Sequence, residues 1–359
     1  MDRNDTVDRN DTPDRHGTPE RHDNLERHGT PPLFSIVLAA HNAQDLLEIT
    51  LRSVLDQSCR DFELIVVNDG STDATGDVID RFAALDDRVV VVHLDSNVGR
   101  SAARNAGLDR VRGQWHVPMD ADDLWAPDRL LWFADAIAAH PDASIVADDL
   151  IEFSQRDDGT VELGRRYASR VTWRSGKVGP VRIAPWFVDH EAVMQPAVRM
   201  SLIRERDIRY PETMSSAEDK AFRWQALFAP GVAPPVRVGR LGYYYRVGES
   251  MRASNMAESR ILATDLVAKR TGNAEFRRLA DRTNPGRVWV AQRADRMWSA
   301  SGRSAPRDEG TDGIELHPNA LAGVAVLALG RLWRGLALLS DRKQRPVVLA
   351  DLQRQLARR

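Results

Sequence analysis

The stretch FELIVVNDGSTD, residues 62–73, runs from an apolar segment through a polar turn into a helix start. A short apolar run bounded by turn residues is typical of a buried strand. Asp-Gly favours a tight turn, and Thr72 or Asp73 is suited to cap a helix predicted over residues 73–85. The order strand, turn and helix therefore indicates one βα unit of an α/β fold.

The same order repeats on both sides of this stretch. Strands are predicted at residues 34–40, 62–67, 89–94 and 114–119, with helices at 43–57, 73–85 and 100–111. Strands that alternate with helices of about 10–15 residues predict βαβ units and a mostly parallel central sheet flanked by helices. Such sheets bind ligands beyond the carboxyl ends of their strands. We predict a ligand site at three of these ends, where polar clusters follow: His41-Asn42, Asn68-Asp69-Gly70-Ser71 and Asp120-Ala121-Asp122-Asp123.

The acidic cluster at residues 120–123 follows its predicted strand directly. Carboxylates spaced i, i+2 at a strand end can face one hard cation, and proteins hold Mg²⁺ or Mn²⁺ with one or two carboxylates plus substrate phosphates. Such a cation neutralises charge that develops on a diphosphate leaving group. The alternative is that these acids cap the following helix, whose first turn suits Pro127.

The segment NVGRSAARNAG, residues 97–107, joins a glycine turn to a predicted helix. Arg100 and Arg104 lie one turn apart and share a face of that helix. This face would lie near the strand ends, where a nucleotide diphosphate would bind. The alternative is a solvent-facing arginine pair.

Taken together, these segments resemble family 2 glycosyltransferases of the GT-A fold, nearly continuously from Ser35 to Leu130 and less tightly at an acidic motif downstream. The resemblance implies inverting transfer of one sugar from a nucleoside-diphosphate sugar, with UDP-sugars favoured, to an acceptor hydroxyl. It also implies Mg²⁺ or Mn²⁺ as cofactor, with Asp120 and Asp122 as ligands. The implied contacts to the sugar nucleotide come from His41, Asn68, Asp69, Arg104, Asp120 and Ala121.

The chain departs from the family pattern at two positions that contact the base. Relatives end the first strand in Pro-Ala-Tyr-Asn, whereas residues 39–42 are Ala-Ala-His-Asn, so His41 would supply the ring that stacks on the base. Relatives carry Asp-Asp-Gly where this chain has Asn-Asp-Gly at residues 68–70. Asn68 would then contact the base as an amide, and Asp69 is expected to bond the base imide or the ribose.

The downstream motif, SSAEDK at residues 215–220, resembles the Glu-Asp pair that carries the general base in this family. Ser215 and Glu218 have the spacing of a capping box, so Glu218 is expected to be occupied at the helix start. Asp219 would then point into the site as the base, in the ionised form that a helix N-terminus favours. The alternative is that both acids only cap the helix predicted over residues 220–228.

The segment around Asp148 and Asp149 resembles a subset of family 2 enzymes that act in exopolysaccharide assembly, of the succinoglycan type. These acids either belong to a loop or shape the acceptor side, and they are the next candidates for the base. Processive members carry Gln-x-x-Arg-Trp, but Lys220 stands in place of that glutamine. The expected acceptor is a saccharide or lipid-linked saccharide in polysaccharide or glycoconjugate biosynthesis.

Three parts are predicted along the chain. Within the first part, residues 1–31, residues 2–31 repeat a degenerate hexapeptide: DRNDTV, DRNDTP, DRHGTP, ERHDNL and ERHGTP. The repeat offers no regular apolar position to bury, so we predict a disordered tail, with loose metal binding by its histidines as the alternative. Residues 32–255 are predicted to form the GT-A domain, and residues 256–359 a mainly helical C-terminal region.

Composition excludes some functions and leaves others open. The 359 residues carry a formal net charge of −2, which gives no sign of a nucleic-acid binder. Neither a signal peptide nor an apolar run of about 18 residues is visible. The single cysteine, Cys59, excludes an internal disulfide and suits a reducing compartment, so we expect a cytoplasmic protein. The apolar run Leu321–Leu339 would lie on the inner face of the membrane, pack on the catalytic domain or form a dimer contact.

Two rival functions have their own sequence requirements. A nucleotidyltransferase that makes sugar nucleotides would need a glycine-rich basic loop after the first strand, and residues 39–42 are not one. An inactive scaffold in a polysaccharide assembly complex would have lost the metal or base carboxylates, and all of them are present.

Overall fold

The computed structural model describes residues 30–167, 178–181, 195–247, 256–281 and 334–357. Nearly all of the repeat tail predicted over residues 1–31 lies outside this part of the chain, as does most of the apolar run at residues 321–339. No helix among the described residues is long and apolar enough to cross a membrane.

The first half of the chain alternates strands and helices, as predicted. Its elements are β1 (Phe34–Ala40), α1 (Gln44–Leu55), β2 (Phe62–Asp69), α2 (Thr75–Leu85), β3 (Val89–Leu94), α3 (Arg100–Leu108), β4 (Trp115–Asp120), β5 (Leu124–Trp125) and α4 (Arg129–Ala139). The second half is less regular. It contains β6 (Ile145–Gln155), β7 (Val161–Tyr167), β8 (Gly179–Pro180), β9 (Ala197–Arg199), α5 (Met200–Glu205), α6 (Glu218–Leu227), β10 (Val236–Arg246), α7 (Met256–Thr271), α8 (residues 274–281) and α9 (Arg334–Leu356).

The strands form one sheet in the order β3-β2-β1-β4-β9-β6-β10-β5, with β7 paired to β6 and β8 to β10. From β3 to β4 every neighbouring pair is parallel. Beyond β4 the sheet is mixed, because β9 runs antiparallel to both β4 and β6, and β5 runs antiparallel to β10. The predicted parallel arrangement therefore holds at the edge where the three polar clusters follow their strands.

Helices cover both faces of the sheet because its central strands are apolar on both sides. In β1, Ile36 and Leu38 pack in one core cluster, and Val37 between them packs in another on the opposite face. Alternation of this kind follows from the two-residue period of a strand. Helix α3 lies close to β1 at Gly107, where an added Cβ would stand 2.5 Å from a Val37 methyl group.

The described parts of the C-terminal region pack on the α/β domain at two separate places. Ala263 and Val267 of α7 share a core cluster with residues of α6. Val348, Leu352 and Leu356 of α9 belong to a different cluster, built around β5, β6 and β10. The helical C-terminal region expected from the sequence is therefore present where it is described.

Candidate active site

The carboxyl ends of β1, β2 and β4 meet at one edge of the sheet. Strand β1 pairs in parallel register with β2 on one side and with β4 on the other. His41, Asn68, Asp69 and Asp120 therefore come together as predicted, at the point where the strand order reverses from β1 to β4.

Asp69 holds the neighbouring glycine turn with its carboxylate. Its Oδ1 accepts a hydrogen bond from the Val98 backbone N–H at 2.7 Å, and its Oδ2 accepts one from the Gly99 N–H at 3.1 Å. Gly99 has a φ of 90°, which favours glycine over residues with a side chain. Both carboxylate oxygens thus fix the loop that leads into α3.

Asn68 is also engaged within the protein. Its Oδ1 accepts a hydrogen bond from the Ser71 N–H at 3.1 Å, and its Nδ2 lies 3.1 Å from His93 Nδ1. His41, in contrast, is solvent-exposed and donates from Nδ1 to the Asp69 carbonyl oxygen at 2.8 Å. This bond orients the ring and leaves Nε2 accessible, so the side chain of His41 is more available to a ligand than that of Asn68 or Asp69.

Arg104 joins the strand-end cluster to the downstream acidic motif. Its Nη2 lies 2.6 Å from Asp120 Oδ1, and its Nη1 lies 2.7 Å from Glu218 Oε1. The arginine side chain is 9% exposed, and its guanidinium also lies over the Tyr210 ring. Residues separated by more than a hundred positions therefore form one ion-pair cluster. The alternative of a solvent-facing arginine pair is wrong for Arg104.

The charge of Arg104 is secured by its neighbours. Burial alone would lower the pKa of Arg104, but the nearby Asp120, Tyr210 and Glu218 outweigh it and raise that pKa above its ordinary value. The second Asp120 oxygen, Oδ2, accepts a hydrogen bond from Gln195 Nε2 at 2.9 Å. Asp120 is therefore held from both sides, with its carboxylate directed towards a permanent positive charge.

The three acids of residues 120–123 have three different environments. Asp123 is fully buried and accepts hydrogen bonds from the Tyr243 hydroxyl at 2.6 Å and from the Arg246 N–H at 2.7 Å. Burial and the neighbouring Asp122 and Asp120 raise its pKa well above the ordinary value. Asp123 is a structural residue that anchors the loop to β10.

Asp122 is the accessible acid of the three. No other described residue donates a hydrogen bond to its carboxylate. Partial desolvation by the surrounding loops, together with the charge of Asp120, raises the pKa of Asp122. An exposed carboxylate destabilised by a like charge fits a cation ligand, since a cation would relieve the repulsion.

The carboxylates at this edge fit a cation that takes its further ligands from a substrate. The described residues contain no group of three or more His, Cys, Asp and Glu side chains placed to hold a metal ion. The remaining ligands would be water and phosphate oxygens, as is usual for Mg²⁺. The Ala121 carbonyl oxygen accepts a hydrogen bond from Thr50 Oγ1 at 3.0 Å, which ties the acidic loop to α1.

The predicted capping box at Ser215 and Glu218 is wrong. Helix α6 begins at Glu218 itself, and its N-cap is Ala217, which has a φ of 60° and makes no side-chain capping bond. The Ser215 carbonyl oxygen instead accepts a hydrogen bond from Arg100 Nη2 at 3.0 Å. Glu218 makes no capping bond and pairs with Arg104, so the alternative in which the acids only cap the helix does not hold for Glu218.

Asp219 lies at the same helix start and pairs with a different arginine. Its Oδ2 lies 2.8 Å from Arg223 Nη1, one turn further along α6, and its side chain is 25% exposed. Burial alone would raise the pKa of Asp219, but Arg223, Arg104 and Lys220 outweigh it and lower that pKa to about 2. Asp219 is therefore ionised at neutral pH, as predicted for a base.

Asp148 and Asp149 are not loop residues, and they are unsuited to be alternative bases. Both lie on β6 inside the protein. Asp148 Oδ2 pairs with Arg129 Nε at 2.7 Å, with side chains 4% and 0% exposed. Asp149 pairs with buried Arg237. Breaking buried pairs of this kind is costly because it leaves an unpaired buried charge, so these acids are committed to Arg129 and Arg237.

Four further residues support the site, and the sequence assigned none of them a role in it. Gln195 and Tyr243 hold Asp120 and Asp123, and Arg246 Nε donates to the Asp122 carbonyl oxygen at 2.9 Å. Tyr243 and Arg246 gave no local signal, whereas Gln195 begins the stretch Gln195–Arg199, which resembles the same exopolysaccharide subset as the segment around Asp148 and Asp149. Thr50 Oγ1 lies within bonding distance of both the Ala121 and the Asp123 carbonyl oxygens. A polar residue within the apolar stripe of α1 was the one signal that pointed to it.

Comparison with known proteins agrees with this geometry. Residues 35–179 match the sequence model of the family described as Glycosyl transferase family 2. The chain contains a family 2 glycosyltransferase domain. This confirms the resemblance carried by the strand-end motifs, all of which fall within or beside the matched residues.

The glycosyltransferase domain is similar to two bacterial relatives over part of their length. It is 42% identical over 99 residues to TuaG of Bacillus subtilis (strain 168), whose name assigns it to teichuronic acid biosynthesis; the match covers 28% of this chain and 39% of TuaG. It is 33% identical over 159 residues to the PGL/p-HBAD biosynthesis glycosyltransferase of Mycobacterium bovis, covering 42% of this chain and 62% of that protein. The chain thus spans less than two thirds of the length of each of these relatives.

Two solved structures share the fold of the glycosyltransferase domain. S. aureus TarS 1-349 in complex with UDP-GlcNAc is 20% identical, with 66% of each chain covered and a TM-score of 0.54. The mannosyltransferase PcManGT from Pyrobaculum calidifontis, in complex with GDP-Man and Mn²⁺, is 19% identical, with 91% of this chain and 86% of that chain covered and a TM-score of 0.50. At these identities the likeness concerns the fold, and it confirms the GT-A architecture.

Proposed function

We propose that this protein transfers a single sugar from a nucleoside-diphosphate sugar to an acceptor hydroxyl, with inversion at the anomeric carbon and with Mg²⁺ or Mn²⁺ as cofactor. One observation carries the proposal. Arg104 links Asp120 of the strand-end cluster to Glu218 of the downstream motif, and Asp122 is accessible beside them. The site thus combines a fixed positive charge with an open carboxylate, as departure of a diphosphate requires.

On the donor side, Asp122 would hold the cation, with Asp120 as a second ligand if its Arg104 contact rearranges. The cation supplies charge neutralisation for the leaving diphosphate. Arg104 would add a positive charge beside the diphosphate, and its ion pair with Glu218 would keep it oriented while Asp120 turns towards the cation. His41 would stack on the base, and the loop held by Asp69 would line the same edge.

On the acceptor side, Asp219 would take the proton from the acceptor hydroxyl while that oxygen attacks the anomeric carbon. The bond between the anomeric carbon and the diphosphate oxygen breaks as the new glycosidic bond forms, and the nucleoside diphosphate leaves. A pKa near 2 keeps Asp219 ionised but makes it a weak base, because general bases work best with a pKa close to the working pH. Acceptor binding would therefore have to loosen the Arg223 contact.

The chemistry of the substrates is inferred from similar proteins. UDP-sugars are the favoured donors on the family resemblance, although the two structural neighbours were solved with UDP-GlcNAc and with GDP-Man. A saccharide or lipid-linked saccharide is the proposed acceptor, since relatives are named for teichuronic acid and PGL/p-HBAD biosynthesis. We place the reaction in the cytoplasm, with the C-terminal region as the candidate for contact with the inner face of the membrane.

A donor panel tests the proposal. The full chain would be incubated with UDP- and GDP-sugars, with Mn²⁺ or with EDTA, and release of nucleoside diphosphate would be measured. We expect metal-dependent release from one donor class, and its loss in Asp122→Ala. Asp135→Ala, an exposed acid on α4, is the matched control and should retain full activity. Full activity of Asp122→Ala in excess EDTA would contradict the proposal.

A further inference from the structure

We infer that the C-terminal helices position the two halves of the active site, with α9 fixing the strand that follows Asp122 and α7 fixing the helix that begins with Glu218 and Asp219. The inference rests on the proposed function, because it assigns a catalytic purpose to helices outside the matched family domain. It concerns positioning, since no described residue of α7 or α9 lies among the proposed catalytic groups.

The contact of α9 begins with apolar packing against β5. Leu352 is fully buried and shares a core cluster with Leu124 of β5 and Tyr244 of β10. Strand β5 begins two residues after Asp122, so the helix lies directly behind the proposed metal-binding loop. A shift of β5 away from α9 would move that loop as well.

Polar contacts fix the register of α9 on this surface. Gln355 Nε2 donates to the Trp125 carbonyl oxygen at 3.1 Å and to Asp351 Oδ2 at 3.0 Å. The Tyr244 hydroxyl donates to the same Asp351 oxygen at 3.0 Å, and Asp351 is buried. A buried carboxylate is costly unless it is hydrogen-bonded, so this network favours one placement of the helix, which apolar packing alone would not do.

Two adjacent tyrosines transmit this placement to the metal-binding loop. Tyr243 and Tyr244 of β10 pair with the two residues of β5. The Tyr244 hydroxyl binds Asp351 of α9, whereas the Tyr243 hydroxyl binds Asp123, next to Asp122. Neighbouring side chains of a strand point to opposite faces, so β10 joins the C-terminal helix on one face to the metal motif on the other.

Helix α7 makes an equivalent contact with α6. Val267 is fully buried in the cluster that contains the α6 side chains. Arg270 Nη1 donates to Gln225 Oε1 at 2.9 Å, and Phe276 of α8 packs against Trp224, with ring centroids 5.6 Å apart. Since α6 is a short rigid rod of about three turns, fixing its far end orients the acids in its first turn.

The two contacts predict separable defects. Loosening α9 should weaken metal-dependent nucleotide binding, because β5 carries the proposed metal loop. Loosening α7 should lower turnover and leave nucleotide binding unchanged, because α6 carries the proposed base. A purely structural role would instead lower thermal stability in both cases without this division.

Matched pairs of variants on each helix make the test. On α9, Gln355→Ala removes the bond to Trp125, and Gln353→Ala changes an exposed residue of the same helix. On α7, Arg270→Ala removes the bonds to Gln225 and to the Asp207 carbonyl oxygen, and Lys269→Ala changes its exposed neighbour. For the full chain, calorimetry would measure the affinity for UDP and for GDP in the presence of Mn²⁺. Nucleoside diphosphate release and the melting temperature would be measured as well.

We expect Gln355→Ala, which removes the bonds to Trp125 and Asp351, to weaken Mn²⁺-dependent nucleotide binding by about 3–10-fold, the size of effect of a net hydrogen-bond loss. Turnover should fall in Arg270→Ala with unchanged nucleotide affinity, and both controls should match the wild type. Melting temperatures that fall without these separate changes in affinity and turnover would overturn the inference.

Amide hydrogen exchange keeps the inference separate from the proposed function. Exchange at residues 121–126 should increase in Gln355→Ala but not in Gln353→Ala, and exchange at residues 221–225, the first hydrogen-bonded amides of α6, should increase in Arg270→Ala. If the wild type binds neither nucleotide with Mn²⁺, the proposed function fails, and the exchange experiment still decides whether the helices position these segments. Unchanged exchange in both variants would overturn the inference.

Discussion

The two sides of the candidate site are built differently. The donor side, at the ends of β1, β2 and β4, comes from three short segments in which each strand carries its own polar cluster. The acceptor side, at the start of α6, takes its geometry from contacts with distant residues, such as the ion pair between Glu218 and Arg104. Local sequence therefore predicted which polar residues meet at the strand ends, whereas it wrongly placed Glu218 in a capping box.

The same difference separates the two halves of the sheet. Strands β1 to β4 were predicted within two residues of their observed ends, because apolar runs and turn residues are local signals. The acids at positions 148 and 149 are polar and lie on a strand, since each is neutralised by a buried arginine from another element. A sequence pattern shows the acid without its distant partner, so the loop interpretation was wrong.

The largest expected effect is on the acceptor side. Asp219→Asn should reduce turnover by about 10²–10⁴-fold, the usual contribution of a general base, and should leave nucleotide affinity unchanged. Nucleoside diphosphate release and calorimetry would measure the two quantities. Unchanged turnover would show that the base lies elsewhere, and weakened UDP or GDP binding would place Asp219 on the donor side.

A smaller effect is expected at the residue that joins the two sides. Glu218→Gln should lower the free energy of unfolding by about 1–3 kcal/mol, because buried Arg104 loses a charged partner. Turnover should fall much less than in Asp219→Asn. Urea unfolding would be compared with that of Glu205→Gln, which alters an exposed residue of α5. Loss of turnover in Glu218→Gln, with full turnover in Asp219→Asn, would reverse the assignment of the two acids.

The donor side offers a test at its accessible residue. His41→Ala should weaken nucleotide binding by about 1–3 kcal/mol if the ring stacks on the base. His41→Phe loses the bond to the Asp69 carbonyl, as the alanine variant does, but it keeps an aromatic face. Because the face is what would stack on the base, His41→Phe should retain most of the affinity. Equal losses in both variants, measured by calorimetry, would assign the effect to that hydrogen bond and not to stacking.

The last expected effect is confined to acid solution. The pKa of Asp219 is about 2 in the folded protein, below its ordinary value of 3.8, so its ionised form stabilises the fold. This stabilisation is fully present above about pH 4 and is lost as the pH falls towards 2. Unfolding measured from pH 5 to pH 2 should therefore show a shallower decline in Asp219→Asn than in the wild type or in Asp135→Asn.

The sequence by itself determined the α/β order, the strand-end clusters and the family, because strand and helix periods, turns and motif spacings are properties of neighbouring residues. It also named the candidate acids of the site, among them Asp148 and Asp149, which the structure shows in buried ion pairs. Tertiary structure alone decided the surroundings of each acid. Arg104 and Glu218 are 114 positions apart, and Tyr243 and Asp123 are 120 apart. Charge pairing and burial depend on distance in space, so only the folded chain separates the open Asp122 from the buried Asp123 and the paired Glu218.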